Sequence, residues 1–366
     1  MAKKLRIGII GTGGIAHAHM NSYKNFEDVE VVAGADIIEG KADNFFKKDF
    51  GMEGVKTFTD HRKLLELDLD AVSICTYNSQ HSVCAIDALN SGKHVLLEKP
   101  MSVTIEEAIA MVQAEKKTGK ILSVGFQPRY DANMQMIKRI VQSGELGEVY
   151  YVQTGGGRRR GIPGGTFIER KTAGVGCLAD IGCYGLDMAL NSIGYPKPLT
   201  VSAVASKHFG TNPKYMGEKD AQRFDVDDFT VAFVRLEGGI TLDFRMSWAM
   251  HMDTMGDTIF LGKNAGLKVK SPGLGTNWGG AWDGGVGQIS VFHDIAGNCV
   301  DTPIPFQENR GAGIFEKKVR AFVDAVLTGG TAPIPTSQIL YNQAIVDGIF
   351  RSSQAGKEVE IVLPNL

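Results

Sequence analysis

Three groups of residues have types and spacings that could do chemistry. The first is Gly11-Thr12-Gly13-Gly14-Ile15-Ala16, which leaves the apolar run Leu5 to Ile10 and precedes a helical pattern from Ile15 to Asn25. Gly11 permits a tight strand-to-helix turn, Gly13 lets backbone approach a pyrophosphate, and Ala16 in the third slot allows close helix packing. Phosphate charge would rest on the helix N-terminus. A second strand, Val29 to Ala35, delivers Asp36 to its carboxyl end, where a carboxylate accepts hydrogen bonds from an adenosine ribose diol and repels a 2′-phosphate. Ile37 and Ile38 follow it and offer no arginine to such a phosphate, so NAD is the expected cofactor, with NADP as the alternative. Gly11, Thr12, Gly13, Gly14, Ile15 and Asp36 are the expected cofactor-binding residues. A glycine-rich turn with no ligand is the competing reading, which strand, helix and Asp36 together disfavour.

The second group is Glu98-Lys99-Pro100, which closes the fifth parallel strand, Val95-Leu96-Leu97, at the sheet edge where doubly wound folds bind ligands. An ammonium beside a carbinol oxygen stabilises developing alkoxide charge and lowers the apparent pKa of a neighbouring acid-base group. A surface lysine after a strand is the alternative for Lys99. The third group lies in Gly174 to Asp187. On a helix of 100° per residue, Asp180, Tyr184 and Asp187 share one face, while Leu178, Ile181, Leu186, Ala189 and Ile193 take the other. Tyr184 could exchange a hydroxyl proton if Lys99 lowers its pKa from the usual value of about 10. Asp180 could orient substrate, and a polar solvated helix face is the plain alternative.

These residues need a scaffold to hold them. At 366 residues, 43% hydrophobic and 22% charged, the chain has the composition of a globular protein and the length of two domains. Apolar runs alternate with helical patterns up to Gly125, as a doubly wound parallel sheet requires. Residues 1–125 are thus an expected Rossmann domain. Residues 126–366 are expected to form an α+β domain with long strands. Its runs Phe229 to Leu236 and Ile240 to Trp248 flank Gly238-Gly239 as a hairpin. The run Phe229 to Val234 is apolar on both faces, so a partner subunit or an internal helix should cover the second one. Two helices, Ile314 to Leu327 and Ser337 to Ser353, and a final strand, Val359 to Leu363, complete the reading.

A net charge of −2 argues against nucleic acid, and Arg158-Arg159-Arg160 is too short to change that. Five scattered cysteines make neither a disulfide framework nor a zinc site and suit a reducing cytoplasm. His17 and His19 lack a carboxylate at metal spacing, so a structural or surface role is expected and no metal is implied. The first buried strand begins at Leu5, leaving no room for a signal peptide, and no apolar run is expected to span a membrane.

Together the motifs resemble those of the glucose-fructose oxidoreductase / inositol dehydrogenase / MocA family. The resemblance rests on the Gly-rich turn, Thr76-Tyr77-Asn78-Ser79-Gln80-His81, Glu98-Lys99-Pro100, and Gly176 to Tyr184, in the family's order and approximate spacing. It implies an N-terminal Rossmann domain followed by a domain with a large open mixed or antiparallel sheet, commonly used to form homodimers or homotetramers. It further implies that Asn78 and His81 lie along the nicotinamide half of the cofactor, that Thr76 is a further cofactor contact, and that Glu98 approaches the nicotinamide ribose or ring. Lys99 and Asp180 would be catalytic, with Lys99 also meeting cofactor and substrate. Gly125 to Tyr130 looks like the family's domain junction, with Gln127 among the cofactor contacts and Arg129 near cofactor or substrate. Many polyol dehydrogenases of the family carry His where this chain has Tyr184, whereas members similar to glucose-fructose oxidoreductase carry Tyr; inositol specificity is thereby disfavoured. Arg158 follows a strand beginning near Gly147 and could meet substrate hydroxyls or solvent.

The expected activity is reversible hydride transfer between nicotinamide and a carbinol carbon of a sugar, sugar derivative or polyol. Tyr184 would handle the proton, Lys99 polarise the oxygen, and Asp180 fix the geometry. Two alternatives remain, both drawn from the family resemblance: an NAD-dependent glycosidase that oxidises its substrate only transiently, and a sugar-sensing regulator without turnover.

Overall fold

The protein is seen here in a computed structural model that describes residues 4–271, 286–308 and 313–364. The chain forms two compact units, one of Met1–Phe126 with Phe315–Leu340 and one of Gln127–Ile314 with Tyr341–Asn365. In the first unit, β1 (Leu5–Ile10), β2 (Val29–Ala35), β3 (Lys56–Phe58), β4 (Ala71–Ile74), β5 (His94–Leu97) and β6 (Leu122–Val124) make a six-stranded sheet of order β3-β2-β1-β4-β5-β6. All pairings are parallel. Helices cover such sheets on both faces, which is why β4 is buried at every residue. Strand order reverses between β1 and β4, and the loops after these two strands, at Gly11 and Thr76, open at that switch point.

The boundary differs from the expected split at residue 125. The helix Ile314–Thr328 belongs almost wholly to the first unit, because its Val319, Phe322 and Val323 pack into the core with Leu5, Tyr23, Val29 and Phe45. Apolar spacing identified the helix but carries no information about which sheet it covers.

The second unit is built on β7 (Val149–Thr154), β8 (Pro198–Ser206), β9 (Phe229–Leu236), β10 (Thr241–Ser247), β11 (Thr258–Gly262), β12 (Gly266–Val269), β13 (Ile289–Ile295), β14 (Asn298–Ile304) and β15 (Val359–Glu360). They form a nine-stranded sheet of order β14-β13-β12-β11-β7-β10-β9-β8-β15. The sheet is mixed: β7 and β10 pair parallel, and the other neighbours pair antiparallel. The predicted hairpin is present, with Asp243 opposite Phe233 and both Gly238 and Gly239 at positive φ in the turn. Along β9, Thr230, Ala232 and Val234 are buried, while Phe233 is 42% exposed. Among the described residues no helix closes over Phe233 on that second face.

Contrary to expectation, one helical run, Arg170–Ser192, is long and apolar enough by composition to cross a membrane. Its apolar window is 83% buried inside the protein, which accounts for the composition without a membrane.

Candidate active site

In the first unit the glycine-rich turn has the form a dinucleotide needs. Gly11 sits at φ +85°, and a Cβ there would lie 2.7 Å from the Cys75 carbonyl, so only glycine passes between β1 and β4. A Cβ at Gly13 or Gly14 would meet nothing within 4 Å. Gly13 caps the helix Gly14–Tyr23 with no side-chain acceptor, so the helix N-terminus opens onto that space and suits an anion. Thr12 ties the turn to Asp36: its amide and hydroxyl both donate to Asp36 Oδ2 at 3.0 Å. Burial opposes the Asp36 charge, but the Thr12 amide, the Lys41 ammonium and the Ile38 amide outweigh it and hold its pKa below the usual carboxylate value. The residues present fit a dinucleotide.

The loops after β4 and β5 carry the remaining predicted residues of this unit. Asn78 is buried and Thr76 half-buried. His81 is 1% exposed, with Nδ1 2.7 Å from the Pro100 carbonyl and Nε2 3.2 Å from the Thr76 carbonyl. Desolvation lowers its pKa despite those two carbonyls. His81 thus joins the loop after β4 to the turn that carries Lys99, itself half-buried.

Glu98 points into the protein. His19 Nε2 lies 2.7 Å from its Oε1, and the Lys318 ammonium donates to the same oxygen. His19 Nδ1 lies 3.0 Å from Ser73 Oγ, which is 2.7 Å from Tyr23 Oη. Desolvation and Lys318 lower the pKa of His19, keeping it neutral, and desolvation raises that of Tyr23. Desolvation also opposes the Glu98 charge, but Lys318 and His19 overcome it and drive the pKa far below the carboxylate range. One proton order satisfies this chain: Tyr23 donates to Ser73, Ser73 to His19, and His19 to Glu98. Of the two first-helix histidines only His17 reaches the surface; His19 is a fully buried structural partner.

In the second unit the predicted helix divides into two windings. Leu178–Gly182 is a π-helical turn, and Cys183–Ser192 is α-helical. A π turn breaks the 100° spacing, and such turns recur at functional sites. Every residue of Cys183–Ser192 is buried, so the polar solvated face held as the alternative is absent from this helix. Asp187 turns to the interior, where Arg129 grips it with Nε at 2.8 Å and Nη2 at 2.6 Å. Tyr195 Oη accepts from the same guanidinium at 2.6 Å and donates to Asp187. Arg129, expected near cofactor or substrate, spends its fork on this buried pair.

Asp180 and Tyr184 each meet a side chain from another element. Trp248 Nε1 donates to Asp180 Oδ2 at 2.9 Å, from a fully buried ring at the end of β10. Gln127 Nε2 donates to Tyr184 Oη at 2.8 Å, so the phenol oxygen is the acceptor in this bond. Asp227 fixes the start of the segment: its carboxylate accepts from the Gly176 amide at 2.6 Å and the Leu178 amide at 3.0 Å. A Cβ on Gly176 would fall 1.9 Å from the Asp227 carbonyl oxygen, which explains a glycine there. Arg158 donates from its amide to Ser247 and from its guanidinium to the Gly161 carbonyl at 3.3 Å, bracing the loop.

Residues 5–126 match the model of an oxidoreductase family with an NAD-binding Rossmann fold, and residues 134–268 match the GFO/IDH/MocA C-terminal domain. The D-glucoside 3-dehydrogenase of Escherichia coli is 32% identical over 271 residues, covering 72% of this chain and 77% of that protein. The chain belongs to the GFO/IDH/MocA oxidoreductase family.

Among other family members, an inositol 2-dehydrogenase of Salmonella typhimurium is 37% identical over 147 residues, 39% of this chain and 43% of that enzyme. The fold of a levoglucosan dehydrogenase solved with NADH and levoglucosan superposes with a TM-score of 0.81 at 22% identity, covering 98% of this chain and 100% of that one. As a GFO/IDH/MocA protein, this chain carries Lys99, Asp180 and Tyr184 on the elements the sequence predicts. Trp248, Asp227, Lys41 and the His19–Lys318 pair escaped the sequence reading. The doublet Asp227-Asp228 just before β9 was the one local signal available, since two adjacent acids at a strand start often accept backbone amides.

Proposed function

We propose that this chain is an NAD(P)-dependent dehydrogenase or reductase acting on a CH–OH carbon of a sugar, sugar derivative or polyol. The observation that carries the reading is the paired presentation of Asp180 and Tyr184 from one buried helical segment, each side chain held by an N–H donor. A solvated helix face needs no such support. The names of relatives acting on D-glucoside and levoglucosan support a sugar ring as substrate.

Bound nicotinamide supplies the hydride acceptor or donor at its ring. Tyr184 as its phenolate takes the carbinol O–H proton during oxidation, becoming the phenol, and as the phenol returns it during reduction. Lys99 stabilises negative charge on the same oxygen, and Asp180 accepts a neighbouring substrate hydroxyl, its own rotamer held by Trp248. Asp36 supports NAD, because a carboxylate at the end of β2 would accept hydrogen bonds from an adenosine ribose diol. Thr76 and Asn78 serve the nicotinamide half, whereas His81 and Glu98 act by holding the loops that carry Thr76 and Lys99. The exposed Phe233 and Val204 on the open sheet face support a homo-oligomer formed there, and five free cysteines support a reducing cytoplasm.

The test is a panel of glycosides, aldoses, anhydrosugars and inositols assayed with NAD and NADP for reduced nicotinamide and for product identity. Formation of a keto-sugar with stoichiometric NADH is the expected outcome. Binding of NAD without turnover on any panel member would overturn the reading.

A further inference from the structure

Three loops of the second unit gather at one edge of its sheet. β8 runs antiparallel to β9, β9 antiparallel to β10, and β10 parallel to β7, so β7, β8 and β10 all end at the same edge. Residues 155–161 leave β7 there, residues 207–217 leave β8, and residues 248–257 leave β10. The first and third of these loops run together: the Arg158 amide donates to the Ser247 carbonyl at 3.0 Å, and Arg160 Nη1 donates to the Met250 carbonyl at 2.9 Å. The second is held by Asp228, whose fully buried carboxylate accepts from the His208 amide at 2.9 Å and from the Phe209 and Gly210 amides at 2.7 Å each. The Asp228 carbonyl also accepts from the Trp248 amide at 2.9 Å, so one residue ties this loop to the ring that supports Asp180. Burying a charge is costly unless its bonds are satisfied, and here they are satisfied by fixing the backbone of a surface loop.

The loops present a cluster of flat groups. The Phe209 ring centroid lies 4.9 Å from that of Tyr215 and 5.2 Å from that of His251, and the Arg160 guanidinium stacks over Phe209 at 5.2 Å and Tyr215 at 4.7 Å. Phe209 and Tyr215 are half-buried, whereas His251 and Arg160 are exposed. His251 stands three positions after Trp248, whose indole holds Asp180. From this we infer that Phe209, Tyr215, His251 and Arg160 form a stacking subsite for a second ring joined to the reacting sugar, so that the substrate is a glycoside with a ring in its aglycone rather than a free monosaccharide. The inference rests on the reading of Asp180 and Tyr184 as residues that act on a sugar. Aromatic and guanidinium faces pack against the C–H face of a pyranose or the face of an aryl ring, and that flat apolar surface is the chemistry the subsite selects. A lone monosaccharide held at Asp180 and Tyr184 has no second ring to place there.

The experiment uses the full chain with NAD. The free hexose, methyl glycoside, phenyl glycoside and a disaccharide of the gluco, galacto and manno series are compared by steady-state kinetics and by calorimetry, within the series of highest kcat/KM or tightest binding. KM or Kd for the phenyl glycoside or the disaccharide should lie about tenfold below that for the methyl glycoside, the size of one ring stack. A gain with phenyl alone assigns an aryl aglycone and a gain with the disaccharide a second sugar; either supports the subsite. Phe209→Ala should bring the tenfold ratio below about threefold. His251→Ala, at an exposed position that folding does not depend on, should at least halve it, with thermal melts confirming both folds. Equal values for the methyl glycoside and both ring-bearing ligands, tighter use of the free hexose, or a ratio unmoved in both variants would overturn the inference. Turnover that favours free hexoses would leave the oxidoreductase reading standing without the subsite. Ring-dependent binding with no turnover would leave the subsite and overturn the oxidoreductase reading, and neither binding nor turnover would overturn both.

Discussion

Tyr184 and Asp180 each receive one N–H donor, and the two donors come from residues 57 and 68 positions distant. The pair was visible in the sequence because Tyr and Asp near a Gly-rich segment are unusual partners for a solvated face. Their supports were not, since Gln127 and Trp248 reach them only through the fold. Tyr184→Phe and Lys99→Met should each lower kcat by about 10²–10⁴-fold, the range for losing a positioned acid-base or charge-stabilising group. NADH affinity should stay within about twofold, measured by fluorescence titration. Trp248→Phe keeps an aromatic ring and removes one hydrogen bond to a carboxylate; kcat/KM should fall about tenfold, an amount consistent with one such bond. Steady-state kinetics, with a denaturation curve to confirm the fold, checks it. Lys41 shows the limit of local reading most plainly: isoleucines follow Asp36 directly in the chain, while the cation arrives from the next turn.

At the scale of elements, β5 ends in two residues with opposite destinations. Lys99 belongs to the loop edge, and Glu98 is anchored inward by His19 and Lys318. Replacing Lys318 with Met leaves a buried carboxylate with only a neutral partner, and should cost about 3–5 kcal/mol in urea unfolding. The same cluster makes stability fall with acid. His19 has a lowered pKa in the folded protein, so its contribution is complete above the unfolded value of about 6.5 and is lost as pH falls through the folded value. Glu98 has a depressed pKa, so its contribution is complete above about 4.3 and is lost as pH falls through the folded value. Urea midpoints should therefore decline from pH 7 to pH 2, with His19→Asn flattening the part just below about 6.5 and Glu98→Gln the part below about 4.3. The helical segment Leu178 to Ser192 teaches a related lesson. Its polar spacing was read at 100° per residue on an amphipathic helix, but a π turn and complete burial sent Asp187 to Arg129 and Tyr195 instead. Gly176→Ala places a Cβ against the Asp227 carbonyl and should destabilise by about 1–3 kcal/mol, or more if the backbone cannot move.

Across the whole molecule, the two sheets were legible because each has its own pattern: short, continuously apolar runs for the parallel one, long strands and a Gly-Gly turn for the mixed one. The membership of the helix Ile314–Thr328 was not, because an apolar stripe does not name the surface it covers. The open sheet face is the molecular-scale prediction. Phe233→Glu should lower the mass seen by light scattering to that of a smaller species if copies associate there, and an unchanged oligomer would place the interface elsewhere. A panel substrate deuterated at the carbinol carbon, incubated with NAD and wild-type protein, should give NADH bearing one deuterium together with the keto product. Product release with the deuterium retained on the sugar and no NADH would contradict hydride transfer as the net reaction.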